Sequence, residues 1–358
     1  MRLEDDQVSA LATGCALLGS GGGGATDVAE VLLRGALAGA PVELGAADRL
    51  AEDAVVATVG AVGSSTAMLE RIPSAEEFVR AARATEARLG RPLAAVQSLE
   101  IGGVNGLLGA CVAAWLGLPL LDADAMGRAY PRLNLTTLAG HVPLTPLALS
   151  APRGEVIVID TADERSVESL VRAMLPSLGS WAAMCLHPAT AAQYRRASVQ
   201  FSLSRALDLG HHWQQRQRGL LTTAELFDRT GARHLYEGTV AEVIRTQPEI
   251  GGVATIHDGG SGSAIMRLDF ANEYILAFED GYPVSSVPEI IVVLDQRTWK
   301  PISVEQLAVQ QRVRVLALPA PPELFNGRHD AENRFGLRAY GREPVHPQGA
   351  PDATADLR

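Results

Sequence analysis

The stretch Leu93–Arg128, LAAVQSLEIGGVNGLLGACVAAWLGLPLLDADAMGR, decides the fold. Leu93–Leu99 is a short, almost uninterrupted apolar run, as expected of a strand covered on both faces. A glycine pair follows, then Asn105–Leu116 with helical length and spacing, then the short apolar strand Leu118–Leu121. Strand, helix and strand in so few residues close as one parallel crossover unit. The polar ends of its two strands, Glu100 and Asp122–Asp124, are then neighbours.

Outward from this unit the pattern repeats. Upstream, Val8, Leu11, Ala12, Cys15 and Ala16 take helical spacing, and so do Val28, Val31, Leu32 and Leu37, with Asp27 near the second helix start. The glycine run Gly21–Gly24 separates the two helices. Ala54–Val62 is a second buried strand, and Ser74-Ala-Glu-Glu carries a capping signature ahead of Phe78, Val79 and Ala82. Downstream, Glu155–Asp160 is a strand, Ser166–Leu178 a helix, and helical spacing returns from Ala189 to about Gln217. Apolar strands alternating with helices predict an α/β domain with a mainly parallel sheet and helices on both faces, over residues 1–218. From 219 to 322 short strands alternate with turns: Thr239–Arg245, Gly252–His257, Ala264–Phe270, Tyr274–Phe278, Ile290–Leu294 and Val313–Leu318. Turn signals lie at Asp258-Gly259-Gly260, Glu279-Asp280-Gly281 and Asp295–Thr298, so this part is a mainly antiparallel β domain. Residues 323–358 form a C-terminal segment whose polar, proline-containing end is expected to fray.

Composition excludes several classes. A net charge of −10 over 358 residues argues against a nucleic-acid surface, which needs a basic face. No apolar stretch reaches the length that a bilayer demands. The acidic start MRLEDDQ is not a signal peptide, and three scattered cysteines read as reduced core thiols. The expected setting is cytoplasmic and the expected partner a small-molecule substrate, with no nucleic acid and no membrane; a homo-oligomer is compatible with the composition.

Four features could carry chemistry. Glycines Gly21, Gly22, Gly23 and Gly24 suit a backbone that takes positive φ or approaches a ligand closely, and equally suit a plain turn between helices. The run is no P-loop, because no Gly-Lys-Ser/Thr follows, and no dinucleotide fingerprint, because a helix precedes it. Asp122 and Asp124 leave a strand end two residues apart; they could activate water, hold a divalent metal, or pair with Arg128. Glu100 and Asn105 flank a glycine pair, where Asn105 is a binding group or a helix cap. His187, at a strand end and two residues after Cys185, is a candidate base, a partner for a Cys185 nucleophile, or a third metal ligand beside Asp122 and Asp124; a buried inert thiol is the plainer reading of Cys185. Of His211-His212, on one helix, at most one faces inward. Asn272-Glu273 is either a turn pair or part of a cleft between domains. No cofactor is required by these motifs; a divalent metal is the one that the acids could hold.

Taken together, LGSGGGG (18–24), EIGGVNG (100–106), LPLLDADAMGRAYP (118–131), SLSRALDLG (202–210), DFANEYILAFEDG (269–281) and VPEIIVVLD (287–295) resemble the S-methyl-thiohydantoin desulfurase-like family. FGLRAYGREPV (335–345) is a looser match. The resemblance implies an α/β domain followed by a mainly β domain. It also implies a hydrolase in which water attacks ring C2 of an S-methyl-thiohydantoin or related imide and a thiol leaves. On that reading Asp122, Asp124 and Glu100 are catalytic, with the water held directly or through a metal. The Gly21–Gly24 N–H groups, Asn105, Arg128, Asn272 and Glu273 hold the substrate. A hydantoinase-type amidohydrolase or subunit, and a non-catalytic binding or regulatory protein, are the alternatives. Two departures stand out: Ala25 where the family usually has an acid or amide, and Glu289 where it has Asp.

Overall fold

The computed structural model describes residues 1–39, 41–246, 251–259, 264–325 and 334–345. The chain divides into two compact units, Met1–Leu226 and Phe227–Arg358. The first opens with β1 (Arg2–Leu3) and α1 (Val8–Leu18), which stops at the glycine run; α2 (Thr26–Gly39) begins just beyond it. Strands β2 (Val42–Gly45) and β3 (Val55–Gly63) follow, then α3 (Ser65–Glu70), capped by the Ser64 hydroxyl. Helix α4 (Ala75–Leu89) starts with the capping box that its sequence predicts, Ser74 and Glu77 each satisfying the other's end of the first turn. It stops at Gly90, which takes the left-handed φ of 67° that a helix C-terminus favours.

The strand–helix–strand unit that decides the fold is β4 (Ala95–Ser98), α5 (Val104–Leu116) and β5 (Leu120–Asp124). After it come β6 (Leu147–Ser150), β7 (Val156–Ile159), α6 (Val167–Met174) and β8 (Trp181–Thr190). Helix α7 (Ala191–Ala197), β9 (Val199–Gln200), α8 (Ser202–Gln217) and α9 (Thr223–Thr230) complete the series. The sheet order is β1-β2-β5-β4-β3-β8-β6-β7, with β9 on β5. Its centre, β2-β5-β4-β3, is parallel, as the alternation of strand and helix predicts. The flanks β1, β8, β6 and β7, and β9, are antiparallel, so the sheet is mixed.

Both faces are covered. Ala95 on β4 packs with Leu121, Ala123 and Tyr194 of α7, whereas a Cβ on Gly109 of α5 would strike the Ser98 side chain, which alternation places on the opposite face. Helices α1 and α8 cross almost backbone to backbone. A Cβ on Gly14 would overlap the Ala206 carbonyl, and one on Gly210 the Ala10 carbonyl, so only glycine fits either place. Gln214 Nε2 seals the crossing by donating to Ser9 Oγ at 3.1 Å and Thr13 Oγ1 at 3.2 Å. No helix among the described residues is long and apolar enough to cross a membrane.

The second unit is one antiparallel sheet. Its strands are β10 (Arg233–Thr246), β11 (Gly251–His257), β12 (Ile265–Phe270), β13 (Tyr274–Glu279), β14 (Tyr282–Ser286), β15 (Ile290–Asp295) and β16 (Arg312–Leu318). They run in the order β14-β13-β12-β11-β10-β16-β15. The sheet curls until β15 approaches β13, a half-barrel closed over Ile256, Leu268, Phe270, Tyr274, Val293 and Val315. Strand β14 is additional to the six expected; it pairs with β13 across the Glu279–Gly281 turn. Gly260 of the expected Asp258-Gly259-Gly260 turn, and residues 326–333 and 346–358 of the expected C-terminal segment, lie outside the described residues.

Candidate functional site

Two loops leave the carboxyl ends of β4 and β5 and meet the glycine run that joins α1 to α2. The glycine run, the Ile101–Gly103 turn after β4 and the Ala125–Ala129 loop after β5 pack main chain against main chain. Gly103 N–H donates to the Cys15 carbonyl at 2.8 Å, and Val104 N–H to the Gly23 carbonyl at 2.8 Å. A Cβ on Gly23 would lie 2.6 Å from the Gly102 oxygen, and one on Gly102 would lie 2.5 Å from Ala129 N. Gly21, Gly23 and Gly24 have φ of 83°, 74° and 78°. The glycines are therefore required by the close approach of two other loops, and by backbone conformations that side chains resist. The run is thus the turn between α1 and α2, with its glycines fixed by packing against the neighbouring loops.

Asp124 lies behind these loops with no exposed surface. Its Oδ2 accepts three backbone N–H groups: Ile101 at 2.9 Å, Met126 at 3.0 Å and Gly127 at 2.6 Å. Burial pushes its carboxyl up to about 6, against the Gly127, Met126 and Ile101 N–H groups, which favour the ionised form. Ser202 stands outside hydrogen-bonding geometry. Neither its Oγ nor Asp124 Oδ1 has a hydrogen-bond partner among the described residues. The Cys15 thiol is also buried beside Asp124, and burial first, then that charge, push it far above its ordinary range.

The other acids have defined jobs. Asp122 caps α8 from across the fold: Oδ1 accepts Ser204 N–H at 3.0 Å and Oδ2 accepts the Ser204 hydroxyl at 2.5 Å. Its main-chain carbonyl accepts Phe201 N–H at 2.7 Å. The DAD and SLS motifs are thus two sides of one device, with Ser204 on Asp122 and Ser202 beside Asp124. The motif SLSRALDLG was legible in sequence, but the partners of its serines were not. Glu100 accepts Asn105 Nδ2 at 2.8 Å and Tyr130 N–H at 3.2 Å. Asn105 is no helix cap. Its Oδ1 accepts Ala61 N–H at 2.7 Å and its Nδ2 donates to Ala61 O at 3.2 Å, so the amide continues the β3 ladder where β4 has ended. Arg128 is wholly buried; its Nε donates to the Ala129 carbonyl at 3.2 Å and its guanidinium lies over the Tyr130 ring.

The structure does not assemble the expected metal site of Asp122, Asp124 and His187. His187 is buried in β8 with a left-handed φ of 53°, at a break in register rather than at a strand end. Its Nδ1 faces the Pro143 carbonyl at 3.0 Å and its Nε2 the Thr136 hydroxyl at 3.1 Å, so both ring nitrogens are taken. No group of three His, Cys, Asp or Glu side chains suited to a metal occurs among the described residues. Cys185 forms no reactive pair with it, because burial pushes that thiol up to about 12. Asn272 and Glu273 belong to the second unit. Asn272 is exposed in the β12–β13 turn, and Glu273 is buried, accepting the Tyr340 hydroxyl at 2.9 Å. Nearby, Asp269 pairs with Arg267 and Arg342, which ties the FGLRAYGREPV segment to DFANEY. Glu289 receives Arg233 Nη2 at 3.0 Å and the Ser285 hydroxyl at 2.8 Å.

Fold and site define a two-part protein: an α/β unit whose motif loops converge at the ends of its parallel strands, followed by an antiparallel half-barrel. The chain belongs to the S-Me-THD-like family, whose N-terminal domain model matches residues 6–161 and whose C-terminal domain model matches 161–347. A crystal structure of a protein from Chromobacterium violaceum is similar, with a TM-score of 0.79 and 25% identity, covering 97% of this chain and 99% of that one. No curated protein matches the chain. The family boundary at 161 does not follow the sheet, since β8, which lies beyond it, runs between β3 and β6.

Proposed function

We propose that the protein hydrolyses a small cyclic imide of the S-methyl-thiohydantoin class. The observation that carries this reading is Asp124, a buried carboxyl near 6 with one oxygen locked by three N–H groups and the other unclaimed by hydrogen bonds. A group poised near neutral pH can take a proton in one step and return it in the next. Water adds to ring C2, giving its proton to ionised Asp124. The C2–S bond then breaks, Asp124 returns its proton to sulfur, the hydroxyl proton ends on the ring nitrogen of the former C2=N bond, and methanethiol leaves a C2 carbonyl. The Gly21, Gly23 and Gly24 N–H groups are the donors for charge on the ring, the Gly22 N–H being held by the Gly19 carbonyl at 2.8 Å. Glu100 and Asn105 brace the loops, and Asp122 holds α8 in place. Because Asp124 has no exposed surface, the loops must part to admit water and substrate. Incubation of the purified protein with S-methyl-thiohydantoin, with methanethiol as the readout, tests the reading; an opened N-carbamoyl product would move the assignment to hydantoinase-type ring cleavage. The complete burial of Asp124 favours a second reading, a non-catalytic ligand-binding protein, which would show ligand-induced thermal stabilisation without product.

A further inference from the structure

A small crevice of about 20 Å³ opens where the glycine run ends, between the starts of α2, α3 and α5. Gly24, Ala25, Ala29, Met68, Leu69 and Val104 line it, and none of its lining residues is charged. Gly24 forms the wall facing α3 and α5. A Cβ there would lie 3.4 Å from Ser65 Cβ and 3.5 Å from Val104 Cγ1, and its φ of 78° keeps the place for glycine. Leu69 of the lining is 47% exposed.

We propose that this crevice is the subsite for a methyl-sized apolar group of the substrate, which in the proposed reaction is the S-methyl of the leaving group. The inference rests on the hydrolase reading given above. Three observations carry it. The enclosed volume is that of one or two water molecules, room for a methyl. The lining offers no charge and almost no hydrogen-bonding side chain, so a carboxylate or ammonium placed there would lose hydration without compensation. The crevice also adjoins Gly24, at the end of the run whose N–H groups the same reading turns toward the ring. Leu69, the exposed large apolar side chain of the lining, falls far short of the roughly 800 Å² per partner that a stable protein interface buries. A small-molecule substituent is the occupant that fits.

Two exposed lining positions allow a test without disturbing the core. Ala25→Leu should close the crevice, and Leu69→Ala should widen it. Binding of hydantoin, S-methyl-thiohydantoin and S-butyl-thiohydantoin is measured by calorimetry on the full-length protein and both variants. The wild type should prefer the S-methyl over the S-butyl compound by about tenfold or more, the scale on which small apolar pockets discriminate. Leu69→Ala should narrow that preference, and Ala25→Leu should weaken S-methyl binding while leaving hydantoin binding unchanged. Equal binding of the three compounds by all three proteins overturns the subsite and leaves the hydrolase reading standing. Binding of none of them overturns both.

Discussion

Replacing Asp124 with asparagine should change how folding stability depends on pH. Burial holds the native carboxyl near 6, against an ordinary value of 3.8. The folded protein therefore binds this proton more tightly than the unfolded chain does. The stabilisation is fully present below about pH 4 and is lost as pH rises through 6. A difference of roughly two units, at about 1.4 kcal/mol each, amounts to ~3 kcal/mol. Asparagine at 124 is neutral throughout, and its carbonyl can still accept the Ile101, Met126 and Gly127 N–H groups. Urea melts of both proteins from pH 4 to 7.5 give the difference directly. The wild type should lose about 3 kcal/mol relative to Asp124→Asn across this interval, and the curves should run parallel above about pH 7. Subtracting the two profiles removes every other titrating group that the substitution leaves alone. Parallel profiles over the whole range would refute the assignment of a raised carboxyl to Asp124. Asp124→Ala separates charge from hydrogen bonding: it leaves three N–H groups without their acceptor, at about 1–3 kcal/mol for each buried donor, and should destabilise at every pH.

Three further outcomes follow from the packing. Asp122→Ala removes the cap of α8 and should cost about 1–2 kcal/mol, whereas Ser204→Ala loses only the hydroxyl bond, keeps its N–H on Asp122 Oδ1, and should cost less. A double variant should cost less than the sum because both changes delete that hydroxyl bond; additive losses in thermal melts would argue against the pairing. Gly103→Ala places a Cβ on the Gly23 main chain at a φ of 72° and should cost more than the ~1–2 kcal/mol of a left-handed residue alone, read as a lower melting temperature; a neutral effect would mean that the two loops are not in contact. A fragment ending at residue 161 lacks β8 and α8 and should show no cooperative unfolding, whereas one ending at 226 should melt as a unit; cooperative melting of the shorter fragment would contradict the sheet order.

Much of this architecture is visible in the order of apolar runs. Leu93–Asp124 predicts the crossover at the centre of the sheet, and Ser74-Ala-Glu-Glu the start of α4, because both depend on nearby residues. What is not local is harder to read. Strand β5 extends through Asp124, past the apolar run that ends at Leu121, because Val199 and Gln200 pair with it from far along the chain. The antiparallel flanks arise from β8 running between β3 and β6, a long-range pairing with no periodic signature. His187 follows an apolar strand and suggests a strand end; the break in register that turns its ring toward Thr136 and Pro143 is a property of the partner strand. At the site, the convergence of Glu100–Asn105 with Asp122–Arg128 was legible from strand-end placement, whereas the approach of the glycine run was not, because it follows a helix and meets those loops only in the fold. The division of labour among the acids was not, since capping of α8 by Asp122 and bracing of β3 by Asn105 depend on residues that are neighbours only in the fold.

The most direct measurement is methanethiol release from S-methyl-thiohydantoin by the wild type and by Asp124→Asn, assayed together near pH 7 with the melting curve of each. The account predicts thiol from the wild type and a loss of at least about a hundredfold in the variant, the lower range for removing a general acid–base group, with a cooperative melt retained. Full turnover by a folded Asp124→Asn protein would contradict it.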